Sequence, residues 1–124
     1  MKIFLDSANT TDIEDRLATE IIDGVTTNPT LIKKSNEDPD VVYEEFNKMR
    51  VKDLSIEVKG DTAKELAANG IMYSRKFKDM ATIKLPCTVE GIKACKKLST
   101  LRIRTNMTLV FSVSQAILLS LIHI

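Results

Sequence analysis

Ala81-Thr82-Ile83-Lys84-Leu85-Pro86 is the stretch on which the fold turns. Ile83 and Leu85 alternate with Thr82 and Lys84, the period of a strand, and Pro86 stops it. Thr88-Val89-Glu90 then opens a helix running through Leu98, with Ile92 and Cys95 toward the core. A strand passing straight into an amphipathic helix is one βα unit, and the unit recurs on both sides. Upstream, residues 54–58 form a strand, and Thr62 caps a helix to about Arg75 with Ala63, Leu66, Ala67 and Ile71 in phase. Gly70, in the last turns, is a signal against the helix pattern there. At the start, residues 3–6 are a strand leading to a helix capped by Asn9 or Thr10, with Ile13, Leu17 and Ile21 in phase. Asp23-Gly24 turns the chain into a strand over residues 25–28. Pro29 opens a short helix through Lys33, and Pro39 or Asp40 starts another to about Lys48, with Val42, Phe46 and Met49 on one face. Residues 103–109 form a fifth strand, and Ser112 begins a helix over 113–119. Strands alternating with helices predict an α/β fold with a parallel sheet, one domain of five βα units.

Composition narrows the function classes. The 124 residues carry 18 Lys+Arg and 17 Asp+Glu, a net charge of +1, with 44% hydrophobic and 28% charged residues, as in an ordinary folded chain. Near-neutrality offers no electrostatic footprint for nucleic acid or an anionic membrane. Lys93, Lys96 and Lys97 read as a solvated helix face. No apolar run approaches the ~18–20 residues that cross a bilayer, and the first apolar run ends at Leu5, too early for an export signal. The expectation is a cytoplasmic chain with Cys87 and Cys95 as reduced thiols. The one His, at position 123, excludes a His-centred triad, a His/Cys zinc site or a His proton shuttle. No G-x-G-x-x-G supports a dinucleotide fold. Chemistry, if present, runs on Lys, carboxylates, amides and hydroxyls.

Strand parity places those groups. A parallel strand covered on both faces is apolar almost throughout, yet each strand here has one apolar set and one polar set. Phe4 and Asp6 oppose Ile3 and Leu5, and Thr26 and Asn28 oppose Val25. Ser55 and Glu57 oppose Leu54, Ile56 and Val58, Thr82 and Lys84 oppose Ile83 and Leu85, and Asn106 and Thr108 oppose Met107 and Leu109. In a (β/α) barrel the second face points inward, and its carboxyl end holds the active site. Taken singly, Asp6 and Asn28 are cap or turn residues and Lys84 a solvated strand end. Five coincident strand ends favour a site.

Four segments carry a resemblance: Phe4-Leu5-Asp6-Ser7-Ala8-Asn9, Gly24-Val25-Thr26-Thr27-Asn28-Pro29-Thr30, Ile83-Lys84-Leu85-Pro86 and Thr105-Asn106-Met107-Thr108-Leu109-Val110-Phe111-Ser112. In order and spacing they resemble the transaldolase family, in its short-chain branch that includes the fructose-6-phosphate aldolases, from residue 3 to about 118. The resemblance implies a (β/α)8 barrel using a lysine Schiff base without metal or cofactor. Lys84 would form the imine with a ketose phosphate. A proton then leaves the hydroxyl on the next-but-one carbon, and the intervening carbon–carbon bond breaks. The dihydroxyacetone unit stays on the lysine until an aldose phosphate accepts it, the transaldolase step of the pentose phosphate pathway. Asp6 matches the general acid/base, Glu57 and Thr108 the pair holding a proton-relaying water, and Asn28 and Asn106 the donor-binding amides. Thr26 is grouped with these two. Glu57 favours transaldolase over the aldolase branch, where that position resembles Gln.

The departures are as informative. A (β/α)8 domain runs to roughly 250 residues, fewer in its smallest members, and the phosphate-gripping Ser-Pro-Phe-Val-Gly-Arg-like segment of the family has no counterpart here. The chain reads as the first five βα units of the barrel, residues 1–118. Leu119-Ser120-Leu121-Ile122-His123-Ile124 matches the in-frame translation of a transposon end used as a sequencing adapter, so 119–124 is expected to be non-native. Strands one and five would then be unpaired edges, which normally invite self-association. The expectation is a marginally stable chain, weak or inactive in catalysis, whose full-length relatives are homo-oligomers. Two alternatives stand beside transaldolase: a fructose-6-phosphate aldolase-type lyase, which needs no acceptor sugar, and a non-catalytic half-barrel that self-associates.

Overall fold

Short polar side chains start the helices, because the first N–H groups of a helix lack intrahelical acceptors. In a computed structural model of the protein, which describes residues 1–121, Asn9 accepts from Asp12 N, Asn28 from Leu31 N, Asp38 from Asp40 N and Thr88 from Gly91 N. Thr62 and Ser112 form reciprocal capping boxes with Glu65 and Gln115. The elements that follow are β1 (Phe4–Asp6), α1 (Thr10–Leu17), β2 (Gly24–Thr26), α2 (Pro29–Ser35), α3 (Pro39–Lys48) and β3 (Leu54–Glu57). Next come α4 (Ala63–Phe77), a 3-10 turn (Lys78–Met80), β4 (Ala81–Pro86), α5 (Val89–Thr100), β5 (Thr105–Thr108) and α6 (Val113–Ser120). The strand order is β1-β2-β3-β4-β5, with β1–β2, β2–β3 and β4–β5 paired in parallel. This is the α/β order of the first five units of a (β/α)8 barrel, as the alternation predicts.

The chain divides into two compact units, Met1–Ile56 and Glu57–Ile124. In the first, Phe4 pairs with Gly24 and Asp6 with Thr26, while Val25 pairs with Leu54 and Thr26 with Ser55. Ile13, Val25, Val42, Phe46, Leu54 and Ile56 are wholly buried and form its core. In the second, β4 pairs with β5, and Leu66, Ala67, Ile83, Leu85, Ala94, Cys95 and Leu98 fill the interior. The expected tail lies partly outside the described residues, at 122–124, and His123 with it. Within the described residues no helix is long and apolar enough to cross a membrane.

Several boundaries differ from the periodicity, each for a local reason. Ile21 does not continue α1. The Thr19 hydroxyl donates to Arg16 O at 2.6 Å and accepts from Ile21 N, Glu20 turns to a φ of 59°, and Ile21 is left 64% exposed. Asn28 lies past the end of β2 because its side chain caps α2. Ile103 and Leu109 fall outside β5, flanked or occupied by left-handed residues at Arg102 (φ 57°) and Leu109 (φ 62°). Met49 and Ile92 are half-buried, not core.

Gly70 lies within α4 and has a packing role that periodicity does not show: it lets Leu98 of α5 and Ile83 of β4 approach closely, since a Cβ there would stand 2.8 Å from Leu98 Cδ1 and 3.2 Å from Ile83 Cγ2. Gly70→Ala should gain up to about 1 kcal/mol of helix propensity yet lose more to overpacking against two wholly buried side chains. The expected net cost is about 1 kcal/mol, read from the urea midpoint; a higher midpoint would show that Leu98 has room to move.

Candidate active site

The alternation of β4 is complete. Ala81, Ile83 and Leu85 are buried, whereas Thr82, Lys84 and Pro86 are half-buried. Lys84 therefore leaves the strand on the face opposite the hydrophobic core. Glu57 ends β3, and Val58, the next residue, donates its N–H to Lys84 O at 3.3 Å. The side chains meet: Lys84 Nζ lies 3.5 Å from Glu57 Oε2, at 13% and 28% exposure. In a partly buried pair the attraction is offset by desolvation of both charges, so the net contribution is about 1 kcal/mol and its interest is chemical more than structural.

Two more predicted residues join them through sheet register. Asn106 is the β5 partner of Lys84, and Thr108 the partner of Pro86. Thr108 O accepts from Cys87 N at 2.9 Å, which fixes the end of β5 to the chain just beyond β4. The second unit thus holds Glu57, Lys84, Asn106 and Thr108 on three successive strands, β3, β4 and β5. In the first unit Asp6 and Thr26 are register partners at the ends of β1 and β2, and Ser7 N donates to Thr26 O at 3.1 Å. Asn28 follows two positions later, its Oδ1 taken up by Leu31 N at 2.9 Å, so the cap expected of Asn28 taken alone is present. Asp6, Thr26, Glu57 and Thr108 end their strands and Asn28 lies just past β2, whereas the register partners Lys84 and Asn106 lie inside β4 and β5, in the carboxyl-terminal part of β4 and the middle of β5. Burial alone does not separate the faces of β3, where Ser55 is as buried as its apolar neighbours.

Two long-range contacts have no signal in the sequence. The Arg104 guanidinium donates to the carbonyls of Asp79 and Ala81, closing the amino end of β4. Glu90 Oε2 accepts from Ala63 N at 2.8 Å, across 27 residues. The thiols differ sharply. Cys95 is wholly buried against Thr105 Oγ1 at 3.4 Å, and burial pushes its thiol up, partly opposed by that hydrogen bond. Cys87 is half-buried at the β4–α5 turn. Iodoacetamide should alkylate Cys87 at least about tenfold faster than Cys95 in the folded chain. Equal rates by peptide mass spectrometry would mean that the interior behind β5 opens freely.

The features together define a class: a parallel α/β protein with a lysine–carboxylate pair at the carboxyl ends of its strands. Comparison with known proteins makes this more particular. The sequence pattern of the Transaldolase/Fructose-6-phosphate aldolase family matches residues 3–120, and the chain belongs to that family. It is 43% identical over 118 residues to a "Probable transaldolase" of Lactiplantibacillus plantarum, covering 95% of this chain and 54% of that protein. Proteins of the same name from Hyphomonas neptunium and Nitrosopumilus maritimus are 44% and 41% identical over 118 residues, again 95% of this chain and 54% and 53% of theirs. The chain spans about half the length of the curated relatives it matches.

Proposed function

We propose that this chain carries the imine-forming part of a transaldolase-type enzyme, with Lys84 as the nucleophile. The observation that carries the reading is the half-buried Lys84 amine beside the Glu57 carboxylate at the ends of β4 and β3. A primary amine adds to a ketose carbonyl, loses water and leaves an iminium, which draws electrons from the neighbouring carbon–carbon bond. A carboxylate near the amine can take up or return the protons this requires. Glu57 is assigned that exchange, through water held with Thr108, and Asp6 the proton of the hydroxyl on the next-but-one carbon. Asn106, in register with Lys84, is assigned to the donor hydroxyls together with Asn28 and Thr26. The substrate class is a ketose phosphate, and transfer to an aldose phosphate is the step that Glu57 favours over release of free dihydroxyacetone.

The test is borohydride reduction of the purified chain in the presence of fructose 6-phosphate, read by intact and peptide mass spectrometry. A reduced sugar adduct on Lys84 is expected. A folded chain that gives none overturns the proposal for this polypeptide. Transfer itself is checked by adding an aldose phosphate: turnover that rises with acceptor separates a transaldolase from an aldolase.

A further inference from the structure

Glu90 occupies an unusual position for a first-turn carboxylate. It lies in the opening turn of α5, where the helix dipole already favours an anion, but its Oε2 accepts from the N–H of Ala63, the first residue of α4, at 2.8 Å. That N–H is one of the orphan donors of the α4 amino terminus, so Glu90 caps a neighbouring helix while standing in its own. Lys93 Nζ holds the other oxygen, Oε1, at 2.6 Å. The Lys93 bond first and the Ala63 bond second keep the Glu90 carboxyl below the usual range. The other charged side chains in the first turn of α4 or just before it are Asp61, Lys64 and Glu65, and Glu65 Oε2 is turned back onto the N–H groups of Asp61 and Thr62.

The two ends of this bridge stand in the same frame. Ala63 is six residues beyond Glu57, and Glu90 six residues beyond Lys84. The bridge therefore joins two successive strand-to-helix turns at equivalent points. At the strand ends, the same two segments are tied by the Val58 N–H to Lys84 O bond and the Glu57–Lys84 contact. We infer that Glu90 is a positioning residue: through Ala63 it locks the β3–α4 turn to the β4–α5 turn and so sets the separation of Glu57 from Lys84. The inference deepens the proposed function, since that pair is its reacting centre, but its test needs no sugar.

Three variants probe it. Glu90→Gln keeps an oxygen that can accept from Ala63 N–H; Glu90→Ala removes it; Glu90→Asp keeps the charge on a stem too short to span the gap. Amide exchange is followed by NMR, and acetic anhydride labelling of Lys84 is measured by mass spectrometry against the exposed Lys33. In Glu90→Ala, exchange at Val58 N–H should rise roughly tenfold while Ile83 N–H, bonded to Arg104 O on the β5 side of β4, keeps its protection. Labelling of Lys84 should rise about threefold as it leaves Glu57. In Glu57→Gln/Glu90→Ala, labelling should rise no further than in Glu57→Gln alone. Glu90→Gln should restore both readouts to near the native values. If Glu90→Ala does not fold, Glu90→Asp carries the same expectations. A uniform rise in exchange, an unchanged Lys84, or Glu90→Gln behaving like Glu90→Ala would each overturn the inference and leave Glu90 as a helix cap. A missing sugar adduct with these results intact would count against the proposed function and not against the bridge.

Discussion

Lys84→Arg should abolish the reduced sugar adduct, by a factor of at least about a hundred, while the chain stays folded. A guanidinium keeps the positive charge opposite Glu57 but does not give up its proton and add to a carbonyl. Lys84→Met should lose the adduct equally, with Glu57 left facing solvent at its 28% exposure. Neither change should move stability by more than about 1 kcal/mol, because in this partly buried pair the desolvation of the two charges offsets most of their attraction. Persistence of the adduct at the same yield on another lysine would remove Lys84 from the proposal and reduce the trapping to surface chemistry. The comparison of Arg with Met separates charge from nucleophilicity: a difference in stability with equal loss of adduct assigns the charge to folding and the amine to reaction.

Gly91→Ala should damage the fold severely. A Cβ at Gly91 would lie 1.9 Å from Pro86 O and 3.1 Å from Pro86 C. These are backbone atoms, and Pro86 O also accepts from Thr88 N at 2.8 Å, so the carbonyl has no free direction in which to swing. The turn from β4 into α5 must shift as a whole, against a helix propensity gain of only about 1 kcal/mol. The expected cost is about 3 kcal/mol, the upper end of overpacking, read from urea unfolding. The Lys84 adduct should fall with it, because the displaced turn follows the strand that carries Lys84. Native stability in Gly91→Ala would show the turn to be loosely held, and would remove the premise that this strand end is rigid.

Much of this was legible in the residues because it is local. The β4 alternation, the caps at Asn9, Thr62, Thr88 and Ser112, and the prolines that open α2 and α3 depend on neighbours within a few positions. Where local rules competed, periodicity lost to side-chain chemistry. Ile21 is in phase with α1, but the Thr19 hydroxyl bonds the Arg16 carbonyl and the helix stops. Asn28 has strand parity, yet its amide serves a helix end.

Order along the chain specifies the class of fold, the family, and which face of β4 carries Lys84, since period-2 alternation and four ordered motifs are local or linear properties. Which glycines are obligatory emerges only in three dimensions. Gly70 reads as an unfavourable helix position in one dimension and Gly91 carries no signal there, yet the folded chain uses them to admit Leu98 and the Pro86 carbonyl. Folding alone brings Glu57 to Lys84, and Glu90 to Ala63 across 27 residues. The physical reason is the range of the forces. Propensity, capping and patterning act within a turn or two of chain, whereas close packing and trans-capping bonds exist only after distant segments have been brought within a few ångströms.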